Sequence, residues 1–323
     1  MTSPRSLGTG TKLAVYGTIL AAAFAAAAGL AAAVGPIDTS NGSHDDDAGS
    51  DHDTGGGRPH VPGISIDADG FRIVPEATSL PADVATTYTF RIVDSNGAAV
   101  TDFDVTHERR LHLIVVSRNL GDYHHLHPTQ DHGGVWTADV PALPGGSYRV
   151  FADTRPTGGD GITLGTDLAV GNGVADTAAT TAPPAGATTF TIDGYQVQMT
   201  GTPHVGESTL TFSVLRNGEP IVPDPYLGAS GHLVALRDGD MAFLHVHPLG
   251  DATPQQPGIR FAAEFPTPGT YHLFLDISID GTVRTAAFTV EVPETNGEPD
   301  QPDNDHDTDR DNDQSNDPHE AGH

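Results

Sequence analysis

The sequence contains no cysteine, and this absence removes several classes of protein at once. Disulfide frameworks, thiolate zinc sites, iron–sulfur clusters and cysteine nucleophiles all require it. Methionine is nearly as scarce, with 3 residues in 323, and aromatic residues make up 6% of the chain. Glycine (38 residues) and proline (25 residues) are plentiful, which favours short elements joined by many turns.

Positive charge is also scarce. The chain has 15 Lys and Arg residues against 43 Asp and Glu residues, a net charge of −28 with histidine neutral, and Lys12 is its only lysine. Nucleic acid and anionic lipid surfaces would repel such a chain, whereas cations would be attracted. We therefore expect no nucleic-acid partner. Adaptation to high salt is an alternative explanation of the acidity.

The longest hydrophobic run lies near the N-terminus. Arg5 and Lys12 precede an uncharged, alanine-rich run over residues 13–34, which at about 1.5 Å per residue spans about 33 Å. The positive residues before it predict a cytoplasmic segment 1–12, a transmembrane anchor 13–35, and a single-pass membrane protein whose bulk is extracytoplasmic. A signal peptide cleaved near residues 31–33 is the alternative.

Composition divides the rest of the chain. Residues 36–60 read as a disordered His/Asp/Gly tether, 172–187 as a linker and 294–323 as a disordered acidic tail. The two remaining segments, 61–171 and 188–293, repeat one another at an offset near 120. Three of the matched pairs are TFRIVDSNG with TFSVLRNG, LHLIVV with GHLVAL, and PGGSYRVFAD with PGTYHLFLD. An offset of this length indicates a domain duplication.

Each copy is a series of short runs rich in β-branched and aromatic residues, separated by turn residues. Asn96-Gly97 and Asn217-Gly218 predict type I′ hairpins, in which both central residues have positive φ. About seven strands per copy, with turns at these intervals, predict an immunoglobulin-like sandwich. The predicted fold is all-β, with two such sandwiches in tandem behind one transmembrane helix.

Histidines are repeated together with the fold. YHHLHP (123–128) corresponds to FLHVHP (243–248), and in each copy a further histidine lies 13 and 15 residues upstream of the His-x-His pair. The candidate metal ligands are His112, His125 and His127 in the first copy and His232, His245 and His247 in the second.

Strand geometry brings each set to one face. A hairpin closed at Asp238-Gly239 places His232 opposite His245. If the strand pairing is shifted by two residues, His232 lies opposite His247 instead. In either register the three histidines emerge on the same side, because residues i and i+2 of a strand share a face. Imidazoles at this spacing can converge on one copper or zinc ion.

A packing role is the competing interpretation. The same face carries apolar residues among which a histidine can simply be buried and hydrogen-bonded to the backbone. These neighbours are Ile114, Val116 and Tyr123 in the first copy, and Val234, Leu236 and Phe243 in the second. Asp153 and Asp276, at the ends of equivalent strands, are either partners of the histidines or turn formers.

No catalytic constellation is apparent. The run GASGH (228–232) lacks the spacing of a nucleophile elbow, and no phosphate loop or dinucleotide fingerprint occurs. We expect a protein that is not an enzyme.

The order of anchor, His/Asp-rich tether, LHLIVVSRNLGDYHHLHP and YLGASGHLVALRDGDMAFLHVHP resembles a group of actinobacterial membrane-anchored secreted proteins, often labelled heavy-metal-associated or heavy-metal-binding. More distantly, the domains resemble YtkA-like and CopC-like β-sandwiches. CopC-like copper(II) sites use an N-terminal histidine amine, which the predicted anchor and tether rule out here. CopC-like copper(I) sites are rich in methionine, whereas this chain has only Met199 and Met241 beyond Met1. The resemblance implies a cell-surface, immunoglobulin-like, metal-linked protein.

Two functions follow as hypotheses. The first is binding of copper or zinc at the envelope for buffering or delivery, with an envelope protein as possible partner. The second is a non-catalytic surface interaction module in which the histidines are structural.

Overall fold

A computed structural model describes residues 61–171, 183–244 and 246–294, without the side chain of His247. The predicted anchor (13–35) and tether (36–60) lie outside these residues, as do most of the linker (172–182), the tail from residue 295, and His245. Across the described ranges, no helix is long and apolar enough to cross a membrane.

The first segment forms two sheets, in the orders β1-β2-β4-β8-β7 and β3-β10-β9-β5-β6. Alternating apolar residues of both sheets form the core, around the buried Trp136. The strands are β1 (Asp67–Ala68), β2 (Phe71–Pro75), β3 (Ser79–Leu80), β4 (Thr86–Val93), β5 (Leu111–Ser117), β6 (Tyr123–Leu126), β7 (Thr129–Gln130), β8 (Val135–Val140), β9 (Gly146–Thr154) and β10 (Ile162–Val170).

The second segment repeats this plan. Its sheets have the orders β11-β12-β13-β18-β17, with β14 added to β13, and β16-β15-β19-β20. The strands are β11 (Thr189–Ile192), β12 (Tyr195–Thr200), β13 (Gly206–Arg216), β14 (Glu219–Ile221), β15 (His232–Arg237), β16 (Phe243–Leu244), β17 (Val246–Pro248), β18 (Ile259–Phe265), β19 (Gly269–Ile279) and β20 (Thr282–Val292).

A tyrosine corner marks both sandwiches as immunoglobulin-like. The hydroxyl of Tyr148, near the start of β9, lies 3.1 Å from the Pro144 carbonyl and 2.7 Å from Asp122 Oδ2, and it shares its proton between these two acceptors. The hydroxyl of Tyr271, near the start of β19, donates to the Thr267 carbonyl at 2.8 Å. This bond back to the preceding corner is characteristic of the fold. The predicted tandem of immunoglobulin-like sandwiches is confirmed.

The two predicted Asn-Gly hairpins differ. Asn217 and Gly218 both have positive φ and join paired Arg216 and Glu219, which confirms the two-residue turn. The prediction is wrong at Asn96-Gly97, which belongs to a three-residue loop closed by the Asp94–Ala98 backbone bond. The Asp94 carboxylate accepts the N–H groups of Asn96 and Ala98, and these bonds stabilise the longer loop.

A third apolar cluster joins the two sandwiches. It combines the outer faces of β5, β6 and β9 with those of β15, β16 and β19. The rings of Tyr123 and Phe274 stack across it with centroids 4.2 Å apart, and Phe151 meets Phe243 at 5.6 Å. Its buried members are Ile114, Val116, Leu120, Phe151, Val234, Leu236, Met241 and Phe274. The face that carries the histidines is therefore the face by which the sandwiches pack.

The segment before β1 completes this interface. The Gly63 N–H donates to the Thr163 carbonyl at 3.0 Å, and the Phe243 N–H of the second sandwich donates to the Pro62 carbonyl at 3.0 Å. Gly165 lies directly beneath the segment, and a Cβ added there would be 1.8 Å from the Gly63 carbonyl oxygen. Only glycine permits this close approach.

We expect Gly165→Ala to displace residues 61–66 and to lower the free energy of unfolding by about 1–3 kcal/mol, as overpacking does. Urea denaturation measures the loss, and limited proteolysis near residue 63 reports the displacement. Gly161→Ala is the control, because a Cβ there meets nothing within 4 Å. Equal stability of the two variants would contradict the assigned contact.

Candidate metal centre

Strands β5 and β6 bring three of the predicted histidines together. Their register places Ile114 opposite His125, with His112 and His127 at the adjoining end of the ribbon. The ring centroids lie 5.2 Å apart for His112 and His125, 5.2 Å for His112 and His127, and 4.8 Å for His125 and His127. One candidate ligand atom from each lies within 4.8 Å of the others.

His232, from the second sandwich, lies beside this triple. Its ring centroid is 6.0 Å from that of His112 and 6.2 Å from that of His125. The spacing in the sequence suggested a triple within each domain, whereas the structure brings histidines of both copies to one place. His245 and the side chain of His247 lie outside the described residues.

The hairpin between β15 and β16 has the second of the two predicted registers. Leu236 pairs with Phe243, so a continuation would oppose His232 to position 247. The loop is longer than Asp238-Gly239, because the Arg237 N–H already bonds the Ala242 carbonyl. The chain then leaves this sheet, and β17 pairs with β18 of the other sheet.

Backbone carbonyls determine the tautomers of two histidines. His112 Nε2 donates to the Thr106 carbonyl at 3.0 Å, and His232 Nε2 donates to the Tyr226 carbonyl at 3.1 Å. A carbonyl can only accept, so in the neutral rings Nδ1 is left as the unprotonated nitrogen. The acceptor is six residues upstream in both copies, so the duplication kept this contact.

A buried carboxylate of the second sandwich holds His125. Asp276, 1% exposed, accepts a bond at Oδ2 from His125 Nδ1 at 2.8 Å and at Oδ1 from the Thr285 hydroxyl at 2.5 Å. The Tyr123 hydroxyl also donates to Oδ2, at 3.4 Å. Asp276 thus lies within a strand and partners a histidine across the interface, and the turn-former interpretation does not apply to it.

Asp153 is the corresponding residue of the first sandwich. Each aspartate is the cross-strand neighbour of a cluster histidine, Asp153 of His112 and Asp276 of His232. Asp153 accepts a bond from Thr163 at 2.9 Å, and burial raises its pKa to about 6.

Two of the ring nitrogens face each other in a way that requires a cation. His112 Nδ1 lies 3.0 Å from His125 Nε2. His112 Nε2 and His125 Nδ1 carry the ring protons, because each donates to an oxygen. In neutral rings, His112 Nδ1 and His125 Nε2 therefore both carry lone pairs. A shared proton or a metal ion is needed between them. His127 Nε2, close by, is buried without a hydrogen-bond partner among the described residues.

Burial keeps three of the histidines, His112, His127 and His232, neutral at pH 7. It lowers the pKa of His112 to about 3 and those of His127 and His232 to about 4, and charge on neighbouring histidines, His125 foremost, lowers them further. Neutral imidazole is the form that binds metals. His112, His127 and His232 are therefore in the neutral, ligand-competent form at pH 7.

His107 belongs to the same group, although the repeat pattern did not select it. Its ring centroid lies 5.0 Å from that of His232 and 6.1 Å from that of His112. It occupies a positive-φ turn position that in the second copy is taken by Leu227. No periodicity in the sequence could reveal the contact, since it crosses between domains.

The described residues thus define a tandem immunoglobulin-like protein with a shared histidine cluster between its two sandwiches. The chain belongs to the family described as "Domain of unknown function (DUF8832)", whose model matches residues 66–171 and 189–294. The two matches coincide with the two sandwiches.

Other comparisons add little beyond this family. No curated protein matches the chain. Among solved structures, FdeC, an Escherichia coli adhesin, is 13% identical to this chain, with a TM-score of 0.24. The match covers 71% of this chain and 66% of the FdeC chain, which is just under two thirds of the latter. InvD of Yersinia pseudotuberculosis is 14% identical, with a TM-score of 0.22, and the match covers 71% of this chain and 61% of the InvD chain. The Lin-41 filamin domain is 18% identical, with a TM-score of 0.22, and the match covers 34% of this chain and 97% of that domain. These TM-scores support no functional argument.

Proposed function

We propose that this protein binds one divalent transition metal ion, copper(II) or zinc(II), through His112, His125 and His127, with His232 beside them. The observation that carries the proposal is the 3.0 Å contact between His112 Nδ1 and His125 Nε2. Both nitrogens present lone pairs, and a metal ion satisfies both at once. The buried, unpartnered Nε2 of His127 supplies a third nitrogen.

The spacing of one pair of nitrogens is already close to that around a metal ion. Nitrogens bound to one tetrahedral ion at about 2.0–2.1 Å lie about 3.4 Å apart. The His112–His125 pair is already at 3.0 Å, and all three ligand atoms lie within 4.8 Å of one another. The carbonyl of Thr106 and the carboxylate of Asp276 accept from the opposite ring nitrogens, as the outer partners of metal-bound histidines do.

We further propose that the protein acts outside the cytoplasm, anchored by residues 13–35, and buffers the metal or delivers it to an envelope protein. It has no catalytic activity in this proposal. The uncharged run behind Arg5 and Lys12 supports the anchor. Protease treatment of intact cells tests it. We expect the untreated protein to fractionate with the membrane, and we expect the external protease to digest the two sandwiches. Full protection of the sandwiches from the protease would contradict the proposed location.

Metal titration of the full-length chain tests the site. We expect one tight site for zinc(II) or copper(II) by calorimetry, weakened at least 100-fold in His127→Ala, because even loss of an outer partner costs about 10–100-fold. The metal-free variant should keep nearly the stability of the parent chain, because Nε2 of His127 has no hydrogen bond to lose among the described contacts.

His132→Ala is the matched control, since His132 is exposed on the first sandwich and apart from the cluster. It should retain the tight site, and any weak binding by histidines in residues 36–60 and 294–323 is common to all variants. His245→Ala and His247→Ala, titrated in the same way, test the remaining predicted ligands. Undiminished tight binding in His127→Ala would refute the site.

A non-catalytic interaction module with structural histidines is the second candidate. The observation in its favour is that His112 and His232 are buried and each bonds a backbone carbonyl. If this is their whole role, the metal-free protein should bind no zinc(II) or copper(II) tightly, and the histidines should matter for stability alone.

A further inference from the structure

A cavity of about 220 Å³ opens beside the histidine cluster, between the two sandwiches. The first sandwich contributes His112, His125 and Asp153 to its walls, and the second contributes His232 and Phe243. Sites for drug-sized ligands occupy about 300–1,000 Å³, so this space fits a smaller ligand.

Three arginines, Arg109, Arg110 and Arg155, line the same cavity. None of them forms an ion pair with an acidic residue of the described segments. Arg109 donates to the backbone carbonyl of Glu108 at 3.0 Å. By contrast, seven other arginines of the described residues are ion-paired with aspartate or glutamate, namely Arg72, Arg91, Arg118, Arg149, Arg216, Arg237 and Arg284.

This concentration of positive charge is unusual for so acidic a chain. With 43 acidic residues against 15 basic ones, carboxylates are abundant, yet Asp153 is the one acidic residue among those lining the cavity. Asp153 is half-buried and accepts a hydrogen bond from Thr163. Arg109, Arg110 and Arg155 are exposed, so their guanidinium groups are available to a ligand from solution. Their planar forks match oxyanions with two or more oxygens.

We propose that this cavity binds a small oxyanion, of the phosphate or dicarboxylate type, held by Arg109, Arg110 and Arg155. The positive charge of this site comes from the three arginines and not from the proposed metal ligands. The site therefore binds the anion whether or not a metal ion is present. The acidic remainder of the chain repels anions, so binding elsewhere is weak.

Calorimetry with the full-length chain, treated with a chelator and held at constant ionic strength, tests the proposal. Inorganic phosphate and succinate are the two probes, and chloride is the reference for simple screening. We expect saturable binding of at least one probe, weakened about tenfold or more in Arg109→Gln and in Arg155→Gln, since each removes a charge-assisted hydrogen bond. Which probe binds assigns the ligand class.

Arg260→Gln is the matched control, because Arg260 also lacks an acidic partner among the described residues but bonds the Leu249 carbonyl and does not line the cavity. It removes the same charge and should change affinity by less than about twofold. Melting curves confirm that each variant folds. If Arg109→Gln or Arg155→Gln does not fold, Arg110→Gln takes its place. Equal weakening by Arg260→Gln, no saturable binding, or binding that requires zinc(II) would each overturn the proposal.

Discussion

Lowering the pH from 7 to 5 should destabilise the metal-free protein sharply. His112 has a folded-state pKa of about 3, and His127 and His232 have values of about 4, all well below the ordinary 6.5. In the unfolded chain these side chains take up protons near pH 6.5, whereas in the folded protein they do not. Their contribution to stability is fully present above pH 6.5 and is lost as the pH falls toward 4.

The expected loss between pH 6.5 and 5 is on the order of 2 kcal/mol for each of the buried His112 and His232, since one pKa unit corresponds to about 1.4 kcal/mol. The loss is smaller for the half-buried His127, where solvent screens the charge. Asp153 opposes this trend. Its pKa is raised to about 6, so its ionisation destabilises the folded protein above that pH and the cost is relieved as the pH falls toward 4. The relief by pH 5 is about 1–2 kcal/mol, which leaves a large net loss.

Urea denaturation in the presence of a chelator, at steps between pH 7.5 and 5, measures this dependence. His232→Gln should flatten the curve, because one fewer group takes up a proton on unfolding. His132→Ala should leave its shape unchanged, since His132 is exposed. A stability that is constant between pH 7 and 5.5 would show that the cluster histidines are not held neutral by burial.

Asp276→Ala should be among the most damaging single substitutions in the interface. The side chain is 1% exposed and accepts from Thr285 of its own sandwich and from His125 and Tyr123 of the first sandwich. Its removal leaves three donors without their acceptor. A donor that stays unsatisfied when buried costs about 1–3 kcal/mol. Affinity for zinc(II) should also fall about 10–100-fold, because His125 loses the group that orients it.

Asp153→Ala provides the matched comparison, because the two aspartates are equivalent in the repeat and each bonds a threonine. Asp153 accepts from Thr163 but makes no contact with the other sandwich in the hydrogen bonds of the described residues. We expect this variant to lose little stability, and above pH 6 the removal of a disfavoured buried charge offsets the lost bond. Similar losses in the two variants would mean that Asp276 does not couple the sandwiches.

The histidine cluster shows where sequence reasoning succeeded and where it stopped. Strand parity placed His112, His125 and His127 on one face, because alternation along a strand is a local property. The hairpin register left two possibilities, since a single Asp-Gly pair does not determine loop length. The Arg237–Ala242 backbone bond, reinforced by the Asp240 carboxylate accepting from the Ala242 N–H, decided between them.

A signal for the interface was present in β5. All seven residues of LHLIVVS are buried, and a strand buried on both sides is continuously apolar instead of alternating. The outer apolar residues Ile114 and Val116 could have been interpreted as the contact with a second sheet. As neighbours of the histidines they indicate a packing environment, and the structure adds the partner, which is the apolar face of β15, β16 and β19.

The sequence by itself determined the duplication, the all-β class, the two sandwiches, and the faces on which the histidines lie. Each follows from composition, periodicity or turn chemistry within one copy. Only the tertiary structure decided that the two faces meet, so that His232 joins the triple of the first sandwich and Asp276 reaches His125 from the second. The physical reason is that this interface comes from burying two apolar faces against each other, and such long-range packing leaves no periodic signal along the chain.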